Sequence, residues 1–149
     1  MSTINVYKYG FVNFMVVILI TLFSYSGITK TISYHEFTNQ LLQSPILEPF
    51  SFLLTWLVPI VEFLIVVFLI VGRTRLIGLY SAAVLLLIFT AYLFNILSYD
   101  FFIPCSCGGW LEKLPLEVHI SLNVLLIVLT VISILLSMQT RFKRKSIFP

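Results

Sequence analysis

The sequence predicts an all-α integral membrane protein, a four-transmembrane-helix bundle with both the N and C termini cytoplasmic. Its 149 residues are 60% hydrophobic and 10% charged, whereas soluble domains have roughly 25% charged residues. So few charges cannot cover a water-facing surface, which excludes a soluble globular domain, a disordered chain and a nucleic-acid-binding protein. A span needs about 20 residues, so four spans with short loops use residues 1–149 as a single membrane domain.

Runs with few charged residues locate the spans. Three runs carry no charge: Tyr9–Thr29, Leu76–Tyr99 and Val118–Thr140. A fourth, Pro49–Gly72, carries one, Glu62. A spanning segment must satisfy its own backbone hydrogen bonds, so each run is expected to be a helix. The predicted spans are residues 10–31, 50–72, 76–99 and 116–138.

The basic residues indicate the orientation. In a four-span topology, seven of them lie on one side of the membrane: Lys8, Arg73, Arg75, Arg141, Lys143, Arg144 and Lys145. Lys30 and Lys113 fall on the other side. Because short cytoplasmic loops carry the excess of Lys and Arg, we expect the first side to be cytoplasmic.

Two loops are then expected to face outward. In the first, residues 34–42 predict a short interfacial helix with Phe37, Leu41 and Tyr34 dipping into lipid. The second loop, residues 100–115, contains both cysteines of the chain, Cys105 and Cys107. This side of the membrane is the oxidising one, where a dithiol can form a disulfide.

The spacing of Cys105 and Cys107 favours redox chemistry over a structural cross-link. A Cys-x-Cys disulfide closes a very small ring, in which the preferred Cα separation is hard to reach. A strained disulfide is easily reduced, and such a short loop stabilises the fold little. Two other interpretations remain open: a copper or zinc site formed by both thiolates with His119, or two small residues at a bend without chemistry.

Glu62 is the charged residue expected deepest in the membrane. It lies about 18 Å from the outer end of its span by the helical rise. An ionised carboxylate is costly there, so we expect it to be protonated or hydrogen-bonded inside the bundle. Two interpretations of Glu62 remain open. It is either a proton relay for the redox site or, with Pro59 on the same face of the span, a contact between helices.

Span four carries a stripe of polar and small residues on one face. Below its upper end the stripe is expected to be a packing seam, since such residues let helices approach in lipid. The upper end, His119 and Asn123, should lie under the cysteine loop. We expect these two to form a supporting polar pocket with Glu62, and with the groups that end spans one and three: Ser24, Lys30, Tyr92, Asn95 and Tyr99.

These residues resemble the MauE/DoxX-like redox-associated membrane proteins, in particular the MauE (methylamine utilisation) branch. The resemblance covers nearly the whole chain. It rests on Cys105-Ser106-Cys107-Gly108 followed by Asn123, and on residues in the first three spans and the segments between them: Tyr25-Ser26-Gly27, Lys30, Phe37, Pro59, Glu62, Gly72-Arg73, Gly78, Phe89-Thr90 and Tyr92. Family members often show Cys-Gly-Cys-Phe-Gly, whereas this chain has Cys-Ser-Cys-Gly-Gly.

The resemblance implies a bundle similar to vitamin K epoxide reductase in the bacterial inner membrane. It implies that Cys105 and Cys107, as catalytic residues of a thiol–disulfide oxidoreductase, relay electrons or disulfides to a periplasmic, thioredoxin-like partner. The chain lacks the Cys-x-x-Cys of that reductase, so no cofactor is assigned and a quinone has no support from the sequence. The alternatives are a non-catalytic scaffold or accessory subunit of a larger membrane complex and a copper-handling protein.

Overall fold

A computed structural model of the chain describes the backbone of residues 3–43, 47–98 and 116–147, and the side chains of residues 7–43, 47–95 and 117–139. Within these ranges the chain is helical and contains no strand. The helices are α1 (Thr3–Ile32), α2 (Tyr34–Gln43), α3 (Ser51–Ile70), α4 (Arg75–Ser98) and α5 (Leu116–Ile147), with a 3₁₀ turn at Glu48–Phe50 before α3.

Four of these helices, α1, α3, α4 and α5, are long and apolar enough to cross a membrane. This confirms the predicted all-α membrane protein. The helices cover most of the predicted spans, but α1 begins at Thr3 and α5 continues to Ile147. Residues 3–9 and 139–147 contain no glycine or proline that would end a helix, which explains the extra turns.

The four spanning helices close into a ring. α1 packs on α3 and α5, and α4 packs on the same two helices. Lys8 Nζ donates a hydrogen bond to Gln139 Oε1 at 3.1 Å, and Arg75 Nη1 donates one to Asn13 Oδ1 at 2.8 Å. The start of α1, the α3–α4 link and the later turns of α5 therefore meet at one end, as the basic residues predict. We call it the basic end.

The basic end is closely packed. A Cβ on Gly78 would lie 2.9 Å from the backbone nitrogen of Leu69, so the missing side chain lets α3 and α4 approach. Leu69 and Leu79 are completely buried there. The buried core consists of apolar residues from all four spanning helices: Val12, Val16, Leu19, Phe23, Ile65, Leu69, Leu79, Ala82, Ala83, Leu86 and Ile134.

The seam predicted on α5 is present. Thr130 and Ser133 are completely buried, and each hydroxyl donates to a carbonyl one turn back in the same helix. Their polar groups are thereby satisfied without a partner helix. The small side chains leave room for close helix packing in lipid.

Helix α2 forms as predicted, but the prediction that its apolar face enters lipid is wrong. Phe37 and Leu41 are buried against the bundle. α2 packs on α3, where the Tyr34 ring lies 5.6 Å from the Trp56 ring and Thr38 Oγ1 lies 3.4 Å from Thr55 Oγ1. The reason is that α1 ends at Ile32, so the outer turns of α3 are covered by α2 instead.

Candidate functional site

A buried ion pair joins α1 to α3. Lys30 Nζ lies 2.5 Å from Glu62 Oε1 and also donates to Ser26 Oγ at 2.7 Å. Ser26 Oγ in turn donates to Glu62 Oε1 at 2.9 Å. Ser26 and Lys30 are four residues apart and therefore lie on one face of α1. Glu62 is thus hydrogen-bonded inside the bundle, as the sequence predicts.

This pair is almost completely removed from solvent. Lys30 is 6% exposed and Glu62 is 0% exposed. The helices come close enough because Gly27 has no side chain: a Cβ there would be 3.2 Å from Phe63 Cζ and 3.4 Å from Glu62 Oε2. Taking two charges out of water is costly, so the geometry of the pair and its extra hydrogen bonds must offset that cost.

Two aromatic rings complete the surroundings of the Lys30 ammonium. Its Nζ lies 4.9 Å from the centre of the Phe89 ring and 5.8 Å from the centre of the Phe37 ring. Both distances fall within the range in which a ring face attracts a cation. Residues from α1, α2, α3 and α4 therefore converge on this one group.

A cavity of about 500 Å³ lies beside the ion pair. We call this end of the bundle the cavity end. The lining is mainly aliphatic and aromatic, from all five helices and the 47–50 segment before α3. Its polar members are Ser26, Lys30, Gln40, Glu62, Tyr92, His119 and Asn123, and its apolar members are Leu22, Phe23, Phe37, Leu41, Leu47, Leu54, Val58, Leu85, Leu86, Ile88, Phe89, Leu93, Leu122, Leu125 and Leu126.

Five of the pocket residues proposed from the sequence meet at this cavity: Lys30, Glu62, Tyr92, His119 and Asn123. His119 and Asn123 are one turn apart on α5 and are 9% and 8% exposed. The polar stripe of α5 therefore has two environments. At the basic end it packs against other helices, and at the cavity end it lines the cavity.

Asn95 and Ser24 are not brought to this group. The Asn95 side chain is exposed, and its Nδ2 donates to the Ala91 carbonyl at 2.8 Å. Asn95 follows Leu93, which lines the cavity, by two residues, so it lies about 200° round the helix from it. Ser24 is half-buried, and the serine that reaches the ion pair is Ser26, two residues along α1.

The Lys30–Glu62 pair is the feature that reasoning from the sequence missed. The sequence contained a signal: a charge inside a membrane span requires a partner, and Lys30 is the cation on the outer side nearest to a span. Both residues were expected in one polar pocket, but their direct pairing was not predicted, because helical spacing does not give the distance between side chains on two different helices.

Cys105 and Cys107 lie outside the described residues, as do Tyr99 and the rest of the loop at 100–115. The described helix ends that flank this loop contribute to the cavity. Tyr92 and Leu93 lie within about two turns of the end of α4, and His119 lies in the first turn of α5.

The described part of the site offers a few polar groups beside an apolar space. Within residues 3–43, 47–98 and 116–147, no group of three His, Cys, Asp or Glu side chains is placed to hold a metal ion. The ion pair, imidazole, amide and phenol stand at the edge of an apolar space. Such a space with a few placed polar groups is typical of a small-molecule site.

Comparison with protein families relates most of the chain to one family. Residues 8–136 match the family described as methylamine utilisation protein MauE. The matched segment includes all residues of the ion pair, the polar cavity lining and the cysteine loop. No curated protein and no solved structure matched the chain. With four membrane-spanning helices and a family match over most of its length, this chain belongs to the MauE family of multi-pass membrane proteins.

Proposed function

We propose that the protein is a thiol–disulfide redox protein of the bacterial inner membrane, with Cys105 and Cys107 as its working pair. It exchanges disulfides with a thioredoxin-like protein on the periplasmic side, in the service of methylamine utilisation. The observation that carries this proposal is the position of the two cysteines. They are the two cysteines of the sequence, and they lie two residues apart in one short loop between spans. The family membership supports the cellular process.

The chemistry is an exchange that conserves electrons. A thiolate of one protein attacks a sulfur of the other protein's disulfide and forms a mixed disulfide. This first step breaks the other protein's disulfide and releases one of its sulfurs as a thiolate. The second thiolate of the attacking pair then attacks its neighbour's sulfur in the mixed disulfide, forms the new disulfide, and releases the other protein's second sulfur as a thiolate. The disulfide bond moves to the attacking protein while two electrons move to the protein that it leaves. A pair of cysteines is needed because a single thiol stops at the mixed disulfide.

Trapping tests this proposal directly. We expect either Cys105→Ser or Cys107→Ser to accumulate a mixed disulfide with a periplasmic protein in cells, because the remaining thiol captures a partner but cannot release it. The double variant is the matched control and should show no adduct. Non-reducing electrophoresis with mass spectrometry identifies the partner.

The same three variants, together with His119→Ala, distinguish the alternatives. Absence of adducts in both single variants, with methylamine-dependent growth intact in the double variant, would reject the relay in favour of a scaffold in a larger complex. Copper that copurifies with the wild-type chain, and is lost in His119→Ala, would favour metal handling instead.

The orientation has its own test. After mild reduction, a membrane-impermeant maleimide should label Cys105 and Cys107 in intact spheroplasts. The expectation follows from the seven basic residues assigned to the opposite side. If labelling required lysis of the spheroplasts, the two cysteines would lie on the cytoplasmic side, contrary to the predicted orientation, and a periplasmic partner would be excluded.

A further inference from the structure

The Asn123 amide is a buried polar group that faces the cavity with no hydrogen-bond partner among the described residues. Its side chain is 8% exposed and belongs to the cavity lining. An amide group offers two N–H donors and one carbonyl acceptor. In the apolar interior of a membrane protein, leaving such a group unsatisfied is costly. The position therefore calls for a complementary polar group inside the cavity.

The Lys30 ammonium offers a second donor to the same space. It has three N–H groups, and its hydrogen bonds within the described residues go to Ser26 and Glu62. Lys30 is 6% exposed and also lines the cavity. Because Glu62 already neutralises its charge, a neutral acceptor suits this site better than an anion, which would add an unbalanced charge.

The rest of the cavity determines the remaining chemistry of the occupant. Its volume of about 500 Å³ lies within the range of small-molecule sites. Ile88 and Leu125 line it and are 57% and 54% exposed, so the cavity is open to the outer surface of the spans. Both side chains are apolar and belong to segments that cross the membrane. An occupant therefore enters from the lipid.

We infer that this cavity binds a neutral, lipid-soluble carbonyl compound, with its apolar body against the leucine and phenylalanine side chains and its carbonyl oxygen hydrogen-bonded to the Asn123 amide and the Lys30 ammonium. The shared chemistry is an acceptor oxygen on an apolar molecule. It is supplied either by a ring ketone of the quinone type or by the ester of a glycerolipid. The inference concerns the described residues and stands independently of the cysteine relay.

Binding of a defined probe tests the inference. The purified chain is placed in phosphatidylcholine nanodiscs and titrated with decylubiquinone, a neutral ring ketone with a short tail, and its thermal midpoint is followed. Palmitic acid is the matched probe with a charged head. We expect the ring ketone to raise the midpoint in a saturable way, and the fatty acid to raise it less.

Asn123→Leu removes the amide at nearly constant volume and should weaken binding about tenfold. Leu122→Trp should also weaken it, because the larger ring enters the cavity. The control Val124→Trp changes a similarly exposed residue of α5 that does not line the cavity, and should bind as the wild type does. Equal affinity in wild type and Asn123→Leu would overturn the inference.

Native mass spectrometry of the same samples distinguishes the two sources. Retention of a phospholipid by the wild type but not by Asn123→Leu would assign the acceptor oxygen to a glycerolipid ester, whereas saturable displacement of any lipid by decylubiquinone would assign it to a ring ketone. Failure of the wild type to hold either molecule would overturn the inference. The Cys105→Ser/Cys107→Ser double variant should bind the probe unchanged, and loss of binding there would overturn the assignment to Asn123 and Lys30.

Discussion

The two ends of the bundle are built in opposite ways from the same four spanning helices. At the basic end, the helices touch through Gly78 and through buried aliphatic side chains such as Leu69 and Leu79. At the cavity end, the buried groups include an ion pair, an imidazole and an amide, and a space of about 500 Å³ remains between the helices. Close apolar packing holds the bundle together at one end, which allows the other end to keep polar groups and an opening.

The largest expected effect comes from breaking the ion pair. Lys30→Met leaves the Glu62 carboxylate without its cation and should lower the free energy of unfolding by about 3–5 kcal/mol. The double variant Lys30→Met/Glu62→Leu removes both charges and should recover most of this loss, because apolar side chains of similar size can replace a buried pair. Unfolding in detergent measures both.

If the double variant lost as much stability as Lys30→Met and Glu62→Leu lose separately when their losses are added, the charges would not be coupled. The cavity end would then depend on packing in the same way as the basic end, and the contrast between the ends would fail.

The glycines compare the two ends with one kind of substitution. Gly78→Ala places a Cβ 2.9 Å from a backbone atom of Leu69, which cannot move away easily, so we expect a loss of about 1–3 kcal/mol. Gly27→Ala places one 3.2 Å from Cζ at the end of the Phe63 side chain, which can move more easily than backbone, and should cost less. Thermal midpoints of the two variants give the order.

Gly10→Ala is the control, since nothing lies within 4 Å of its added Cβ. It should leave stability unchanged or raise it slightly, because alanine favours a helix over glycine. A larger loss for Gly27→Ala than for Gly78→Ala would show that the closer helix contact is at the cavity end.

Ser26→Ala measures the contribution of the hydroxyl between the two charges. It removes a hydrogen bond to Glu62 and one from Lys30, both to charged groups, and should cost about 1.5–3 kcal/mol. Ser24→Ala, on the same helix but without a hydrogen bond from its side chain in the described residues, should change stability little. If the two substitutions had equal effects on stability, the Ser26 hydroxyl would not stabilise the ion pair.

The smallest effect is expected at the surface of the basic end. Asn13→Leu removes the exposed hydrogen bond from Arg75 and should change the free energy of unfolding by less than about 1 kcal/mol. The free energies of unfolding of Asn13→Leu and Ser26→Ala are measured in the same detergent and compared. A loss as large as that of Ser26→Ala would mean that polar contacts support both ends equally.

Much of the fold was predictable because the membrane imposes simple rules. Charge-free runs such as Leu76–Tyr99 must be helices, and the basic residues must collect on one side. The shared face of His119 and Asn123 followed from helical spacing alone. By contrast, whether the apolar face of α2 packs on the bundle or enters lipid depends on where α1 ends relative to α3. The sequence of α2 itself does not contain this information.

The site divides in the same way. Its chemical groups, Glu62, Lys30, His119 and Asn123, were recognisable one by one, because polar residues in an apolar span are rare and costly. Asn95 satisfied the same rule and yet lies outside the cavity, because it is about 200° round α4 from Leu93, and its side chain bonds to its own helix. Composition thus identifies candidates, while rotation of each helix selects among them.

The sequence by itself determined the membrane class, the number of spans, the end at which the basic residues meet and the presence of a cysteine pair in one loop. These properties depend on composition and on neighbours along the chain. The tertiary structure alone decided that Lys30 pairs with Glu62 through Ser26, that α2 covers α3, and that an opening remains beside Asn123. Each of these depends on how far apart two helices lie, and Gly27 sets that distance only in combination with the residues of α3 that it meets.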